Sequence, residues 1–79
     1  MKYVYILKSL AEAGRHYTGI TADVAARFEM HNAGHVPHTA KFRPWRLETY
    51  LAFTDEGKAH AFEAYLKSGS GRAFAKKRL

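Results

Sequence analysis

The sequence predicts an α+β fold, a three-stranded antiparallel sheet flanked by helices, in the order β-β-α-β-α-α. Two neighbouring segments rich in Tyr, Val and Ile are joined by a short turn, which is typical of a β-hairpin. Apolar residues recur at helical spacing in two later segments. Because only three strands are available, the helices must supply much of the core. Residues 1–79 are expected to form a single domain.

The predicted hairpin comprises strands at residues 2–8 and 16–21, with a turn around Gly14 between them. Residues 2–8 alternate and contain the aromatic and β-branched side chains that strands favour. Gly19 lies inside the second strand. Glycine at such a position indicates either a close approach of another group to the backbone or a β-bulge.

The first helix is predicted to begin at Thr21, a good N-cap residue, and to end near Asn32, with Gly34 as part of the stop signal. Residues 35–44 contain two prolines and little periodicity, so a loop is expected there. The third strand follows at residues 46–53, where the apolar alternation is imperfect.

The second helix is predicted to begin at Thr54-Asp55-Glu56, which is a typical helix start. Ser68-Gly69-Ser70-Gly71 is expected to end it, and a short last helix is expected through Phe74. The apolar face of the second helix comprises Ala59, Phe62 and Leu66.

The composition excludes several classes of protein. The chain has no cysteine, which excludes a disulfide framework and a thiolate zinc site. It contains no apolar run of about 18 residues, so we expect no transmembrane helix and no membrane partner. The first apolar run is too short for a signal peptide, and a cytoplasmic location is therefore expected.

Positive charge is concentrated in two segments. The chain has 13 Lys and Arg against 7 Asp and Glu, a formal charge of +6. Two separate basic clusters suit a phosphate backbone that is contacted at several points, which predicts a nucleic-acid partner. A tail that only maintains solubility remains an alternative for the second cluster. The first cluster comprises Lys41, Arg43 and Arg46, and the second comprises Lys67, Arg72, Lys76, Lys77 and Arg78.

Two pairs of side chains are candidates for chemistry. Tyr5 and Tyr17 lie in different strands of the hairpin and are expected on one face, as catalytic hydroxyl groups or as half-buried core aromatics. Arg27 and His31 lie one turn apart on the first helix, at the rim of its core-facing side. Arginine suits a phosphate and histidine exchanges a proton near neutral pH. A solvated helix face is the alternative for this second pair.

Glu63 is the candidate metal ligand. A carboxylate near the buried side of a helix is costly unless it is paired or binds a metal. The alternative is an exposed Glu63 that pairs with Lys67 one turn later. His31, His35 and His38 have ligand-like spacing, but no cysteine or acidic partner accompanies them, so zinc is not expected.

Five short segments form a combination that is more specific than any one of them. They are Tyr3-Val4-Tyr5-Ile6-Leu7, Tyr17-Thr18-Gly19-Ile20-Thr21, Arg27, His31-Asn32-Ala33-Gly34, and Glu63 with Tyr65-Leu66-Lys67. The combination resembles the GIY-YIG nuclease family, and in particular its small stand-alone bacterial members. The resemblance covers essentially the entire chain.

The resemblance implies a role for each candidate residue. The tyrosines of the two family motifs correspond to Tyr5 and Tyr17, and the helical arginine corresponds to Arg27. A histidine seen in some branches corresponds to His31, and the metal-binding glutamate corresponds to Glu63. The implied cofactor is Mg²⁺ or Mn²⁺.

The chain departs from the family pattern in three places. Its first motif lacks a glycine at its head, and Thr18 is in the middle of the second. Both are backbone or packing positions, so the chemistry is expected to persist. Some members carry a late asparagine near the active site, whereas the only asparagine here is Asn32.

The implied function is a metal-dependent endonuclease that acts on DNA in preference to RNA, with a role in DNA repair. Arg27 would clamp the phosphate. Two candidates remain for the general base that activates the attacking water. One is a tyrosine whose pKa is lowered by a nearby cation, and the other is His31, acting directly or through a tyrosine. We expect specificity to come from substrate structure, a homodimer or a protein partner. The alternatives are a non-catalytic nucleic-acid-binding module that stacks bases on Tyr3 and Tyr50, and a protein adaptor that uses the surface around Trp45.

Overall fold

The computed structural model describes residues 1–79, and the chain forms one three-stranded sheet with four helices. The strands are β1 (Lys2–Ser9), β2 (His16–Thr21) and β3 (Trp45–Phe53), and the helices are α1 (Val24–Asn32), α2 (Pro37–Ala40), α3 (Glu56–Leu66) and α4 (Gly69–Arg78). The strand order is β2-β1-β3 with both pairings antiparallel, which confirms the predicted α+β fold. Each of the helices is too short or too polar to span a bilayer.

The central strand β1 is buried on both of its faces. Val4 and Ile6 point to one face, where they pack against Ala59 and Leu66 of α3. Side chains alternate along a strand, so the residues between and after them point the other way. This first face packs apolar side chains together and forms one half of the core.

The second face of β1 carries Tyr5 and Leu7, which pack with Trp45 at the start of β3. Phe28 of α1 is partly buried against the same cluster. Helix α1 therefore covers this face and α3 covers the other. Two small cores result, separated by the sheet.

A β-bulge interrupts the pairing of β1 with β3. Ile6 lies opposite Thr49, whereas the next residue, Leu7, lies opposite Leu47. Glu48 is therefore the extra residue of β3. This explains the imperfect alternation in the sequence, because the bulge returns Leu47 to the face that carries Leu7.

The prediction of a loop over residues 35–44 was wrong in part, because this segment contains the one-turn helix α2. Pro37 occupies its first turn, where the missing N–H is not needed and the fixed φ suits a helix. The backbone N–H groups of Thr39 and Ala40 both donate to the carbonyl of Val36, at 3.1 and 3.0 Å. The proline that suggested a loop therefore starts a helix.

The predicted N-cap of α1 was displaced by two residues. Asp23, rather than Thr21, caps the helix, since its side chain accepts a hydrogen bond from the backbone N–H of Ala26 at 3.1 Å. The Thr21 hydroxyl instead accepts from the N–H of Asp23 and closes the preceding turn. The predicted end of the helix is confirmed at Asn32, and Gly34 adopts φ +82° in the turn that follows.

The Ser-Gly segment after α3 is both a helix end and a helix start. Ser68 caps α4 by accepting a hydrogen bond from the N–H of Gly71 at 3.1 Å. A side chain at Gly71 would overlap the backbone carbonyl of Tyr65, so glycine permits α3 and α4 to meet closely. Helix α4 continues to Arg78, beyond the predicted end at Phe74.

Candidate active site

Three aromatic rings from three different elements converge on the α1 side of the sheet. The ring centroid of Tyr17 lies 5.0 Å from that of His31 and 6.3 Å from that of Tyr5, and the Tyr5–His31 separation is 5.7 Å. The strand register places Tyr5 opposite Gly19 and Tyr17 opposite Leu7. The two tyrosines are thus diagonal neighbours on one face of the hairpin.

Gly19 is required by the position of Tyr5. A Cβ atom at Gly19 would lie 2.5 Å from the Tyr5 hydroxyl oxygen. The pairing of β1 with β2 shows no bulge, so close approach is the reason for this glycine. The ring of Tyr5 lies across the partner strand and its hydroxyl group is thereby directed toward α1.

His31 is completely buried, at 0% exposed surface, which corrects its expected position at the rim of the core. Its Nε2 atom lies 2.7 Å from the Tyr5 hydroxyl, and its Nδ1 atom lies 2.8 Å from the Thr39 hydroxyl. Both ring nitrogens are therefore satisfied inside the protein. The alternative of a solvated helix face is wrong for His31, while Arg27, one turn earlier, is half-buried.

The pKa values of Tyr5 and His31 are shifted in opposite directions, because burial disfavours the charged form of each. Burial raises the pKa of Tyr5 above 10.0, and Arg27 opposes the shift only in part. Burial, and then the charge of Arg27, lower the pKa of His31 below 6.5. Tyr5 is thus protonated and His31 neutral near pH 7. Arg27 lowers the pKa of Tyr5, as expected of a nearby cation, but burial outweighs it and the net shift is upward.

Glu63 of α3 influences the same site from another element. Its charge contributes to the raised pKa of Tyr5. Its side chain is 19% exposed, and Oε2 lies 2.9 Å from the Nζ atom of Lys67. The pairing that the sequence left open is therefore present, although Glu63 is mostly buried rather than exposed.

Glu63 would hold a divalent ion only together with the phosphate oxygens of a bound substrate. No group of three or more His, Cys, Asp or Glu side chains lies together as a ligand set. Mg²⁺ is commonly held by one or two carboxylates with phosphate oxygens and water, and Glu63 supplies one carboxylate of this kind. Lys67 would have to release that carboxylate.

Part of the second basic cluster lines an open cleft of about 1210 Å³ beside the β1–β2 connection. Lys67, Arg72 and Lys76 lie along it, whereas Lys77 and Arg78 do not. Lys67 also contacts Glu63, so one end of the cleft adjoins the candidate site.

The first basic cluster is distributed over an exposed surface outside this cleft. The Nε atom of Arg43 donates to the carbonyl of Ala40 at 2.7 Å. Lys41 Nζ lies 5.2 Å from the ring centroid of Phe42. Arg46 is exposed on β3.

Arg15 links the two basic clusters, and the sequence did not indicate this. It lines the cleft, and its Cζ atom lies 4.1 Å from the ring centroid of Phe42, the ring that Lys41 also approaches. Its Nε atom bonds Glu12 at 2.6 Å, so part of its charge is neutralised. Arg15 belongs to a predicted turn, and nothing local signalled a contact with a residue 27 positions away.

Comparison with known families assigns the chain to one of them. A model of the GIY-YIG catalytic domain matches residues 1–78. The chain belongs to the GIY-YIG family. This is a family of nucleases that act on nucleic acid and generally use divalent metal ions.

Two relatives are UPF0213 proteins. The chain is 40% identical over 58 residues to one from Cupriavidus pinatubonensis, a match that covers 72% of this chain and 62% of the relative. It is 41% identical over 66 residues to one from Lacticaseibacillus paracasei, covering 82% of this chain and 72% of the relative. The first match thus spans less than two thirds of that relative's length.

Proposed function

We propose that this protein is a metal-dependent endonuclease that hydrolyses phosphodiester bonds, in DNA in preference to RNA, and that it recognises substrate structure rather than sequence. The observation that carries the proposal is the hydrogen bond between the Tyr5 hydroxyl and His31 Nε2, at 2.7 Å, inside the aromatic cluster. A phenol hydrogen-bonded to a buried neutral imidazole can transfer a proton, and the half-buried Arg27 and Tyr17 beside this pair support a catalytic role for it.

The proposed base is His31 acting through a tyrosine. His31 is fully buried, so direct contact with an attacking water is disfavoured. Tyr5 is itself 1% exposed, so the water would approach from the side of the half-buried Tyr17 and Arg27. It would pass a proton to the Tyr5 oxygen as the Tyr5 proton moves to Nε2 of His31. Tyr17 is half-buried and is more open to solvent than the other two, which suits a role in orienting the water. The hydroxide then attacks phosphorus, and the P–O bond to the leaving oxygen breaks.

Arg27 and Glu63 would bind the scissile phosphate, Arg27 directly and Glu63 through a metal ion. Arg27 is half-buried and close enough to Tyr5 to oppose the rise in its pKa, so its cation is available to the same reacting group. A guanidinium there stabilises charge that develops on the phosphoryl oxygens. Glu63 would hold Mg²⁺ or Mn²⁺, and the bound ion would supply Lewis-acid stabilisation of the leaving oxygen.

The substrate backbone is proposed to follow the cleft beside the site. Lys67, Arg72 and Lys76 line it, and Arg15 continues the positive surface toward Lys41. Contacts of this kind neutralise phosphates without reading bases, which supports a preference for substrate structure. Further contacts with the phosphate backbone of the substrate are proposed for the remaining members of the two basic clusters: Arg43, Arg46, Lys77 and Arg78.

One alternative has an observation in its favour. Tyr50 is 56% exposed and its ring lies 6.1 Å from that of Tyr3, so this pair is available to stack bases in a non-catalytic binding module. An adaptor that uses Trp45 is disfavoured, because Trp45 is buried in the core and its indole N–H donates to the carbonyl of Thr39 at 2.9 Å.

Cleavage of a labelled panel tests the proposal: single-stranded, duplex, flap and branched DNA, and single-stranded RNA, each with Mg²⁺, Mn²⁺ or chelator. We expect metal-dependent cutting that Glu63→Ala lowers at least about 100-fold, with little change in binding. Glu56→Gln, at an exposed position of the same helix, is the control and should cut normally. Binding without cutting in every metal would favour the non-catalytic module.

Four further expectations stay predictions: a single catalytic domain over residues 1–79, a cytoplasmic location, a role in DNA repair, and a homodimer or protein partner that supplies specificity.

A further inference from the structure

We propose that Thr39 is a positioning residue that fixes which nitrogen of His31 carries the proton. Thr39 lies on α2, is 1% exposed, and its hydroxyl oxygen lies 2.8 Å from His31 Nδ1. The same hydroxyl lies 3.3 Å from the carbonyl oxygen of Val36, to which it donates. The hydrogen bond to Tyr5 is on the opposite side of the imidazole ring.

These hydrogen bonds form a chain from Tyr5 to Val36. Its direction follows from which atoms at each end can donate a proton and which can accept one. Tyr5 is 1% exposed, and His31 Nε2 is the acceptor that the structure provides for its hydroxyl proton. Arg27 also acts on that hydroxyl through a hydrogen bond, and a guanidinium offers only donors, whereas Tyr17 and Glu63 act on Tyr5 through their charges alone. The Tyr5 hydroxyl therefore donates, and Nε2 must be unprotonated.

The hydrogen bonds at the Thr39 end are consistent with the same direction. A neutral imidazole without a proton on Nε2 carries it on Nδ1, which must then donate. The Thr39 hydroxyl can accept that bond because its own proton is directed to the Val36 carbonyl. The chain thus runs in one direction, from Tyr5 through His31 and Thr39 to Val36.

Helix α2 holds Thr39 in place independently of His31. The carbonyl of Thr39 accepts from the indole N–H of Trp45 at 2.9 Å and from the N–H of Phe42 at 3.1 Å. The Asn32 side chain in turn bonds both the N–H and the carbonyl of Trp45, at 2.6 and 3.0 Å. The start of β3 therefore anchors α2, and α2 presents the hydroxyl to the imidazole.

The inference about the tautomer does not depend on activity, whereas its catalytic consequence rests on the proposed function. A proton on Nδ1 leaves Nε2 free to receive the proton of Tyr5. In Thr39→Val, which is similar in shape but lacks the acceptor, Nδ1–H would lose its partner. Only the Tyr5 hydrogen bond would then hold the tautomer, so the form with the proton on Nε2, which cannot serve as the base, would become populated.

Long-range ¹H–¹⁵N NMR spectra of the uniformly ¹⁵N-labelled 79-residue chain test this inference without substrate, since the chemical shifts of the two ring nitrogens differ when only one is protonated. We expect Nδ1 of His31 to be protonated and Nε2 not, with His31→Gln assigning the signals. A proton on Nε2 in the native chain would overturn the inference, and this result requires no variant to fold.

The variants test the role of Thr39 itself. We expect Thr39→Val to shift the tautomer and to lower kcat about 10- to 100-fold, and Thr39→Ser, which keeps the hydroxyl, to restore both. Thr54→Val, at an exposed position before α3, is the matched control. An unchanged tautomer in folded Thr39→Val would refute the role. A native tautomer as inferred, together with no cleavage of any substrate, would refute the proposed nuclease and leave the inference intact.

Discussion

The two faces of strand β1 pack against different kinds of side chain. Val4 and Ile6 point into a core of apolar side chains, where another apolar side chain of similar size would serve. Tyr5, one residue away, points into a core that also contains the buried polar side chains of His31 and Thr39. Every buried polar side-chain atom has a hydrogen-bond partner. The first face stabilises the fold, and the second also sets protonation states, because a buried polar group is tolerated only with a defined partner.

The largest effect is expected from Gly19→Ala, which disturbs only the polar face. The new methyl would lie 2.5 Å from the Tyr5 hydroxyl oxygen and would displace it from His31. We expect cleavage to fall about 100-fold, as for a displacement of about 1 Å in other enzymes. Stability should fall by about 1–3 kcal/mol. Single-turnover cleavage and urea unfolding measure the two quantities.

The control for this prediction is Gly69→Ala at the start of α4. A methyl group there would meet no atom within 4 Å. Stability should be unchanged or should rise by up to about 1 kcal/mol, with normal cleavage. Normal cleavage by Gly19→Ala would show that the Tyr5 position is not needed for the chemistry.

The pH dependence of kcat/KM should report the polar face directly. The base must be neutral, so activity is lost as pH falls through the pKa of His31. Because burial and Arg27 lower this pKa, the loss should begin only below about pH 6.5. Tyr5 must be protonated to pass a proton on, and its raised pKa places the alkaline loss above about pH 10.

A pH–rate profile of His31→Gln completes this test. We expect lower activity and no acid limb of the native kind, since the titrating imidazole is gone. An acid limb that persists unchanged in the variant would remove His31 as the base and leave a tyrosine in that role.

The apolar face should show the opposite behaviour. Val4→Ala removes buried methyl groups from the cluster with Ala59 and Leu66, and should lower the free energy of unfolding by about 2 kcal/mol. The cleavage rate per folded molecule should be unchanged below the unfolding temperature. A large change in kcat at full folding would mean that the two faces are coupled through β1.

The smallest effect is expected at the cleft, away from both faces. Lys76→Ala should weaken binding of all nucleic acids similarly and reduce the slope of log K against log salt by about 1. Lys58→Ala, on an exposed position of α3 outside the cleft, should leave the slope unchanged. Fluorescence anisotropy between low and moderate salt measures both. An affinity that is independent of salt would contradict the electrostatic model of binding.

Most of the fold could be predicted, because strand and helix signals are local. The hairpin, the end of α1 and the third strand follow from periodicity and glycine positions. The one-turn helix α2 was missed because Pro37 suits both a loop and a helix start. Helix α4 extends further than expected because Ala75, beyond Phe74, packs against the core cluster that contains Leu66, a tertiary contact that periodicity does not report.

Prediction of the candidate site was less complete. The side chains of Tyr5, Tyr17 and His31 do lie together. However, the complete burial of His31 was not expected. Thr39 was not singled out, since it lay in a predicted loop, and Arg15 was assigned only to a turn. Arg27 does lower the pKa of Tyr5, but the upward shift from burial is larger and was not expected.

The sequence alone was sufficient for the order of the strands and the three longer helices, the basic character and the resemblance to a nuclease family, since these depend on residue types and short-range spacing. Tertiary contacts determined the burial of His31, its two hydrogen bonds and the link through Arg15 between the basic clusters. These contacts join residues 8 to 27 positions apart, which helix and strand periodicity does not relate. Desolvation and proton direction are properties of the folded surroundings, and they appear only when those residues meet.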